Sequence, residues 1–237
     1  MPLRFEELDF QDTPMGEISL RRRFDPAARR DVYEVRLGDE YLMSSLFVVA
    51  EEALATLALD LLDAPDDAAL RVMVGGLGLG YTACAALADP RVADLTVIEY
   101  SGPVLDWHRR ELLPDTAGLA TDPRCTLVQD DFFARVAAAP GTRYDAILLD
   151  VDHTPRHVLH PNHAAFYEPA GLRAMAAHLT EGGVFALWSD DPPDEEFQAS
   201  LGEVFAEHSA HLVPFANPIT GGESSNTVYL ARGAARR

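Results

Sequence analysis

Arg71-Val-Met-Val-Gly-Gly-Leu-Gly-Leu-Gly80 decides the fold. Its first part is a short apolar run of the kind that fills a sheet buried on both faces. Its second part is a glycine loop, Gly76-Leu77-Gly78-Leu79-Gly80. Without Cβ atoms the chain turns tightly there and brings its backbone close to a ligand. Gly80 to Leu87 then reads as a helix ending at Asp89-Pro90, with its first N–H groups aimed back at the loop.

Outward from this stretch the rhythm repeats. Leu95-Thr-Val-Ile-Glu99, Cys125-Thr-Leu-Val128, Tyr144-Asp-Ala-Ile-Leu-Leu-Asp150 and Val184-Phe-Ala-Leu-Trp188 read as strands. His211 to Phe215 and Thr227 to Ala231 add two more. Helices are predicted over Val104 to Leu113, over Ala165 to Leu179 with a stop at Gly182-Gly183, and over Glu195 to Glu207. Strands alternating with helices predict an α/β, Rossmann-like fold, a mostly parallel sheet with helices on both faces. Residues 1–47 differ. Gly16 to Arg23, Asp31 to Leu37 and Tyr41 to Phe47 alternate in polarity around the turn Gly38-Asp39, which predicts a small antiparallel unit of about three strands. Glu51 to Leu62 reads as a helix. The expected organisation is an N-terminal β unit over 1–47 and a nucleotide-binding domain over 48–237.

The 237 residues carry 48% apolar side chains and a formal net charge of −19. That charge repels nucleic acid phosphates and acidic membranes. The basic clusters Arg21-Arg22-Arg23 and Arg236-Arg237 have no interleaved aromatics, so neither nucleic acid nor membrane is an expected partner. No apolar run is long enough to span a bilayer, and Met1 to Glu7 has no signal-peptide pattern. A soluble, cytoplasmic protein is expected. Cys84 and Cys125 lack metal-ligand spacing and read as buried free thiols.

In such sheets ligands bind beyond the carboxyl ends of the strands, and four strand ends here carry the needed chemistry. The first is the glycine loop, where Gly76, Gly78 and Gly80 cradle the ligand. Glu99 ends the second strand and can accept from both hydroxyls of a ribose. Asp130-Asp131 follows the third and can accept from an adenine amino group. Asp150 ends the fourth, at the mouth of the cleft. Acids at this many strand ends repel a pyrophosphate and favour a cationic sulfonium nucleoside, that is, an S-adenosylmethionine-type ligand.

Taken in order, these stretches resemble the spermidine synthase (polyamine aminopropyltransferase) family within the class I methyltransferase superfamily. The resemblance runs through Val72 to Gly80, Val97-Ile-Glu-Tyr100, Val128-Gln-Asp-Asp-Phe-Phe133, Tyr144 to Asp150, Phe166-Tyr-Glu-Pro169 and Leu179-Thr-Glu-Gly-Gly-Val-Phe185. It implies that Glu99 binds ribose, that Asp130 binds adenine and that Asp150 borders the reacting centre. It also implies pairing into a homodimer. Three features of the family are missing or moved. An acid in the glycine loop is replaced by Gly78-Leu79. The Asp-Ser-Ser-Asp-Pro stretch reads Asp150-Val151-Asp152-His153-Thr154-Pro155, with His153 at the catalytic aspartate and Asp152 one residue early. A Tyr-His pair opening the first long helix is Ala50-Glu51, and an upstream glutamine is Met43.

Four of the eight histidines lie in the loop from Asp150 to His163. Three readings stand side by side. His153, oriented by Asp150 or Asp152, can act as general base. The histidines and aspartates can bind a metal, although the spacing matches no metal motif. Or the loop is a plain surface segment. After the fifth strand, Asp194 reads as a helix cap, while Asp190 and Asp191 sit nearer the cleft and can contact a cationic acceptor. Trp188, Phe166 and Tyr167 wall the pocket or fill the core. The expected activity is methyl transfer from S-adenosylmethionine to a small nucleophile such as a cationic amine, since the acid that would read a decarboxylated donor's amine is absent. Aminopropyl transfer from decarboxylated S-adenosylmethionine is the alternative, with Asp152 in place of the family's catalytic aspartate. A non-catalytic nucleoside-binding protein is the third reading.

Overall fold

A computed structural model describes residues 5–151, 153–217 and 219–235. The chain opens with a four-stranded antiparallel meander: β1 (Phe5–Thr13), β2 (Gly16–Asp25), β3 (Arg30–Leu37) and β4 (Glu40–Ser44). The expected strand count was one short. β1 is an edge strand whose residues alternate between exposed and half-buried, so it lacks the apolar-in, polar-out contrast that marks a strand in sequence. α1 (Val49–Asp60) follows and buries Ala50, Leu54, Ala55, Ala58 and Leu59.

The second sheet has seven strands. β5 (Leu70–Gly75), β6 (Val92–Glu99), β7 (Cys125–Gln129), β8 (Tyr144–Leu149) and the upper part of β9 (Leu179–Ser189) run parallel. β10 (Phe205–Asn217) and β11 (Gly222–Ala234) form a long hairpin added antiparallel to β9. The order is β10-β11-β9-β8-β5-β6-β7. From β5 the chain steps outward through β6 to β7, then returns to place β8 on β5's other side. That reversal leaves a crevice above β5 and β8, the place where such sheets hold ligands. The α/β class with a mostly parallel sheet is therefore as expected.

Between strands lie α2 (Tyr81–Ala88), α3 (Gly102–Arg109), α4 (Phe132–Ala137), α5 (Pro169–Ala176) and α6 (Glu195–Gly202). Two expected helices are shorter. The segment from Ala165 breaks into a 3-10 turn, Pro161–Phe166, and α5, because Pro169 starts a helix but cannot continue one. The helix from Glu195 ends at Gly202, and Phe205 already begins β10.

One apolar cluster joins Ile18, Leu20, Tyr33 and Val35 of the meander to α1, α2, α3 and the near face of the large sheet. A second, on the far face, gathers Met73, Ile147, Leu149, Phe166, Tyr167, Phe185, Phe197 and Tyr229. Phe166 and Tyr167, at 6% exposure each, serve this core rather than a pocket wall. Cys84 and Cys125 are half-buried free thiols, and burial pushes them up to about 11 and about 12. Among the described residues no helix is long and apolar enough to cross a membrane.

Candidate active site

The glycine loop sits where β5 hands over to α2, and its geometry excludes side chains. Gly76, Gly78 and Gly80 have φ of 90°, 48° and 91°, the left-handed region that glycine enters at no cost. A methyl group on Gly76 would lie 2.0 Å from the carbonyl oxygen of Asp150. The Asp150 N–H in turn donates to Gly75 O at 2.8 Å, so the ends of β5 and β8 interlock. A methyl group on Gly78 would meet the Met43 sulfur of β4 at 2.9 Å. The N-terminal meander therefore closes over the loop position that lacks an acid.

Glu99 leaves the end of β6 and bridges two loops. One carboxylate oxygen accepts from Leu77 N–H at 2.9 Å and the other from Ser101 N–H at 2.6 Å. Burial pushes this carboxyl up, and the backbone N–H groups of Leu77, Ser101, Gly78 and Tyr100 hold it back.

Beyond β7 the two neighbouring aspartates differ. Asp131 caps α4 by accepting from Ala134 N–H at 3.1 Å. Asp130 is exposed and accepts from Arg135 Nη1 at 2.8 Å. Asp130 thus pairs with a surface arginine, whereas Asp131 satisfies a helix end.

Asp150 is half-buried at the end of β8 and accepts from the Thr82 hydroxyl at 2.9 Å. Burial raises its carboxyl to about 6, against that hydrogen bond. The same Thr82 hydroxyl lies 3.2 Å from the carbonyl oxygen of Glu51, in the first turn of α1. The Glu51 carboxyl is pushed up to about 8, by burial first and by the charge of Asp150 second, with Glu52 and Asp190 adding to it. Burial and the negative charge of Asp150 both favour the protonated form of Glu51. Glu51 stands where the resemblance has a Tyr-His pair, and its sequence context implies no role for it. Its signal was an acid on the buried side of a helix N-terminus.

Of the remaining expected residues, Asp152 lies outside the described residues. His153 is half-buried, and its carbonyl accepts from Asp190 N–H at 2.8 Å, tying the loop after β8 to the end of β9. The other histidines take local roles. His157 Nδ1 stands 3.5 Å from Asp191, His160 caps the 3-10 turn by accepting from Asn162 N–H, and His163 stacks on Phe133 at 3.9 Å. Among the described residues no group of three or more His, Cys, Asp or Glu gathers as metal ligands. Asp194 caps α6, accepting from Glu196 N–H and Phe197 N–H. Asp190 accepts from Asn226 at 2.8 Å. Asp191 borders a cleft of about 440 Å³ together with Thr154, Arg156 and Glu195.

No family model matches the chain. Over 126 residues it is 32% identical to a polyamine aminopropyltransferase of Corynebacterium efficiens, covering 52% of this chain and 23% of that protein. Over 114 residues it is 33% identical to putrescine N-methyltransferase 2 of Nicotiana tabacum, covering 48% of this chain and 31% of that one. The chain thus spans a third or less of the length of these curated relatives. Among solved structures, spermidine synthase from Thermotoga maritima superposes over 97% of this chain and 74% of its own with a TM-score of 0.74, at 18% identity. The fold is spermidine synthase-like. A spermidine synthase in complex with the transition-state analogue AdoDATO gives a TM-score of 0.75 at 19% identity. In this spermidine synthase-like frame, the glycine loop, Glu99 and Asp150 meet at the carboxyl ends of β5, β6 and β8, and the Glu51 main-chain carbonyl reaches Asp150's partner Thr82.

Proposed function

We propose that this chain transfers an alkyl group from an adenosyl sulfonium donor to a small cationic amine, in the manner of the polyamine aminopropyltransferases. The observation that carries the reading is the Asp150 carboxyl, held by the Thr82 hydroxyl beside a glycine loop that admits no side chain, with the first turn of α1 brought against the same hydroxyl through the Glu51 main-chain carbonyl. Gly76, Gly78 and Gly80 cradle the donor, Glu99 takes the ribose hydroxyls in place of Leu77 and Ser101, and Asp130 takes the adenine amino group in place of Arg135. A sulfonium is already a strong electrophile, so the protein contributes mainly alignment and proton removal. An ammonium acceptor is unreactive until it loses a proton. Asp150 and Glu51 attract the cation, and one of them, or His153, takes that proton. The buried pair suits both tasks, because a raised pKa makes an acid a better base once it is ionised.

Aminopropyl transfer is favoured by the polyamine aminopropyltransferases and spermidine synthases among the similar proteins. It displaces methyl transfer, the activity expected from sequence, as the leading form. Methyl transfer is the second reading, and two observations favour it. Gly78 and the Met43 sulfur packed against it offer no carboxylate to a donor amine, and putrescine N-methyltransferases are also similar to this chain. Calorimetry with S-adenosylmethionine and its decarboxylated form separates the two. Aminopropyl transfer requires the decarboxylated donor to bind more tightly and a diamine to gain one aminopropyl unit by mass. A gain of one methyl group establishes the second reading. Donor binding with no product from any amine leaves a nucleoside-binding protein. The likeness in fold also motivates a homodimer, which sedimentation equilibrium tests.

A further inference from the structure

Besides its contacts with Asp150, Met43 and Glu99, the glycine loop is held from beneath by His108 and by the Thr116 hydroxyl, which donates to Leu79 O at 2.9 Å. His108, on α3, is 4% exposed, and its Nε2 lies 3.0 Å from the carbonyl oxygen of Gly78. A carbonyl only accepts, so Nε2 carries the hydrogen. Burial pulls the imidazole's pKa down, which keeps the ring neutral and leaves a lone pair on Nδ1. That Nδ1 is buried and meets no hydrogen-bond partner among the described residues. An unmet buried acceptor is unfavourable, and an apolar ring would fill the space without that cost. The polar contribution of this imidazole is therefore its one bond to the loop.

The surroundings hold the ring in place. A methyl group on Gly80 would lie 2.7 Å from His108 Cε1, so the ring packs directly under the loop. α3 is itself anchored to β1, because Trp107 Nε1 donates to Asp9 at 2.7 Å and Arg110 Nη1 donates to the same carboxylate at 3.3 Å. The Gly78–Leu79 peptide is trans and planar, so its C=O and N–H point in opposite directions. With the carbonyl held toward α3, the Leu79 N–H faces the other side of the loop, and among the described residues nothing accepts from it.

We propose that His108 is a positioning residue, fixing the Gly78–Leu79 peptide so that the Leu79 N–H is presented to an oxygen of the bound adenosyl donor. This rests on reading the loop as an adenosyl cradle. Replacing His108 by Phe keeps a ring and removes the donor, whereas H108Q restores an N–H at the reach of Nε2. Titration calorimetry of the full chain with S-adenosylmethionine and with 5′-methylthioadenosine is expected to show about tenfold weaker binding for H108F, the worth of one hydrogen bond. H108Q is expected to recover most of the loss, with thermal midpoints reported for all three proteins. Equal affinity for H108F and the wild type overturns the proposal while leaving the cradle intact. A wild type that binds neither probe overturns the cradle itself. Long-range proton–nitrogen NMR of the ligand-free wild type needs no variant. The Nε2–H tautomer at His108 is expected, and the Nδ1–H tautomer overturns the proposal.

Discussion

A single methyl group at Gly76 would test the loop most severely. It would meet the Asp150 carbonyl oxygen at 2.0 Å in a backbone with φ of 90°. Gly76→Ala should destabilise the fold by about 3 kcal/mol or more, a clash added to a strained φ, and chemical denaturation reads this directly. Glu51 makes the opposite prediction. Its folded pKa, about 8, and that of Asp150, about 6, lie above the ordinary carboxylate range. The folded chain therefore holds more protons than the unfolded one from the ordinary carboxylate range up to those values, and stability falls as pH rises through that window. Glu51→Gln should remove much of this slope. At pH 8 its midpoint should rise by about 2–4 °C, the effect of about 1 kcal/mol in a chain this size, and near pH 4 it should match the parent. A variant that melts lower at pH 8 would refute the raised pKa of Glu51. These residues also show where sequence stops being informative. The glycine loop and Glu99 were legible because backbone conformation and a strand end impose local patterns. Glu51 and His108 were not, because their chemistry arises from burial against parts of the chain far away. Asp130 and Asp131 are adjacent in sequence, and only the start of α4 separates a cap from an acid paired with a surface arginine.

Helix ends divide along the same line. Asp194 was readable as a cap because the acceptor, the acidic first turn and the preceding prolines are contiguous. Its side chain accepts from Glu196 N–H at 2.8 Å and also pairs with Arg156. Asp194→Ala should cost about 1–2 kcal/mol and loosen the loop carrying Thr154 and Arg156, visible as faster amide exchange there. Asp194→Asn should retain most of the stability, since it keeps the capping oxygen. The far end of α6 is overextended in the sequence reading because Gly202, a residue at which helices commonly end, is passed over. Its true limit is the pairing of Phe205 with Ala234, an interaction across the β10–β11 hairpin. β1 was missed for the reverse reason, an edge strand with weak polarity contrast. Internal parallel strands were the easiest to read, since burial on both faces leaves only apolar residues in them.

At the scale of the molecule, the formal charge of −19 acts on the compact state as self-repulsion. Raising monovalent salt shortens the screening length from about 30 Å at 0.01 M to about 8 Å at 0.15 M. The thermal midpoint should rise over that range, and a fall would mean that the arginine–carboxylate pairs outweigh the repulsion. The order of strands along the chain has a consequence for how the protein is made. The meander pairs neighbours within the first 44 residues and can form as soon as it leaves the ribosome. The centre of the large sheet cannot, for β5 must wait for β8, as in the bond from Arg71 N–H to Asp145 across 74 positions. β9 then stands with one bare edge until β11, the last strand among the described residues, arrives to cover it. A translation pause, or a break before Gly222, would therefore leave an apolar strand unpaired, and such an open edge invites a second nascent chain to fill it.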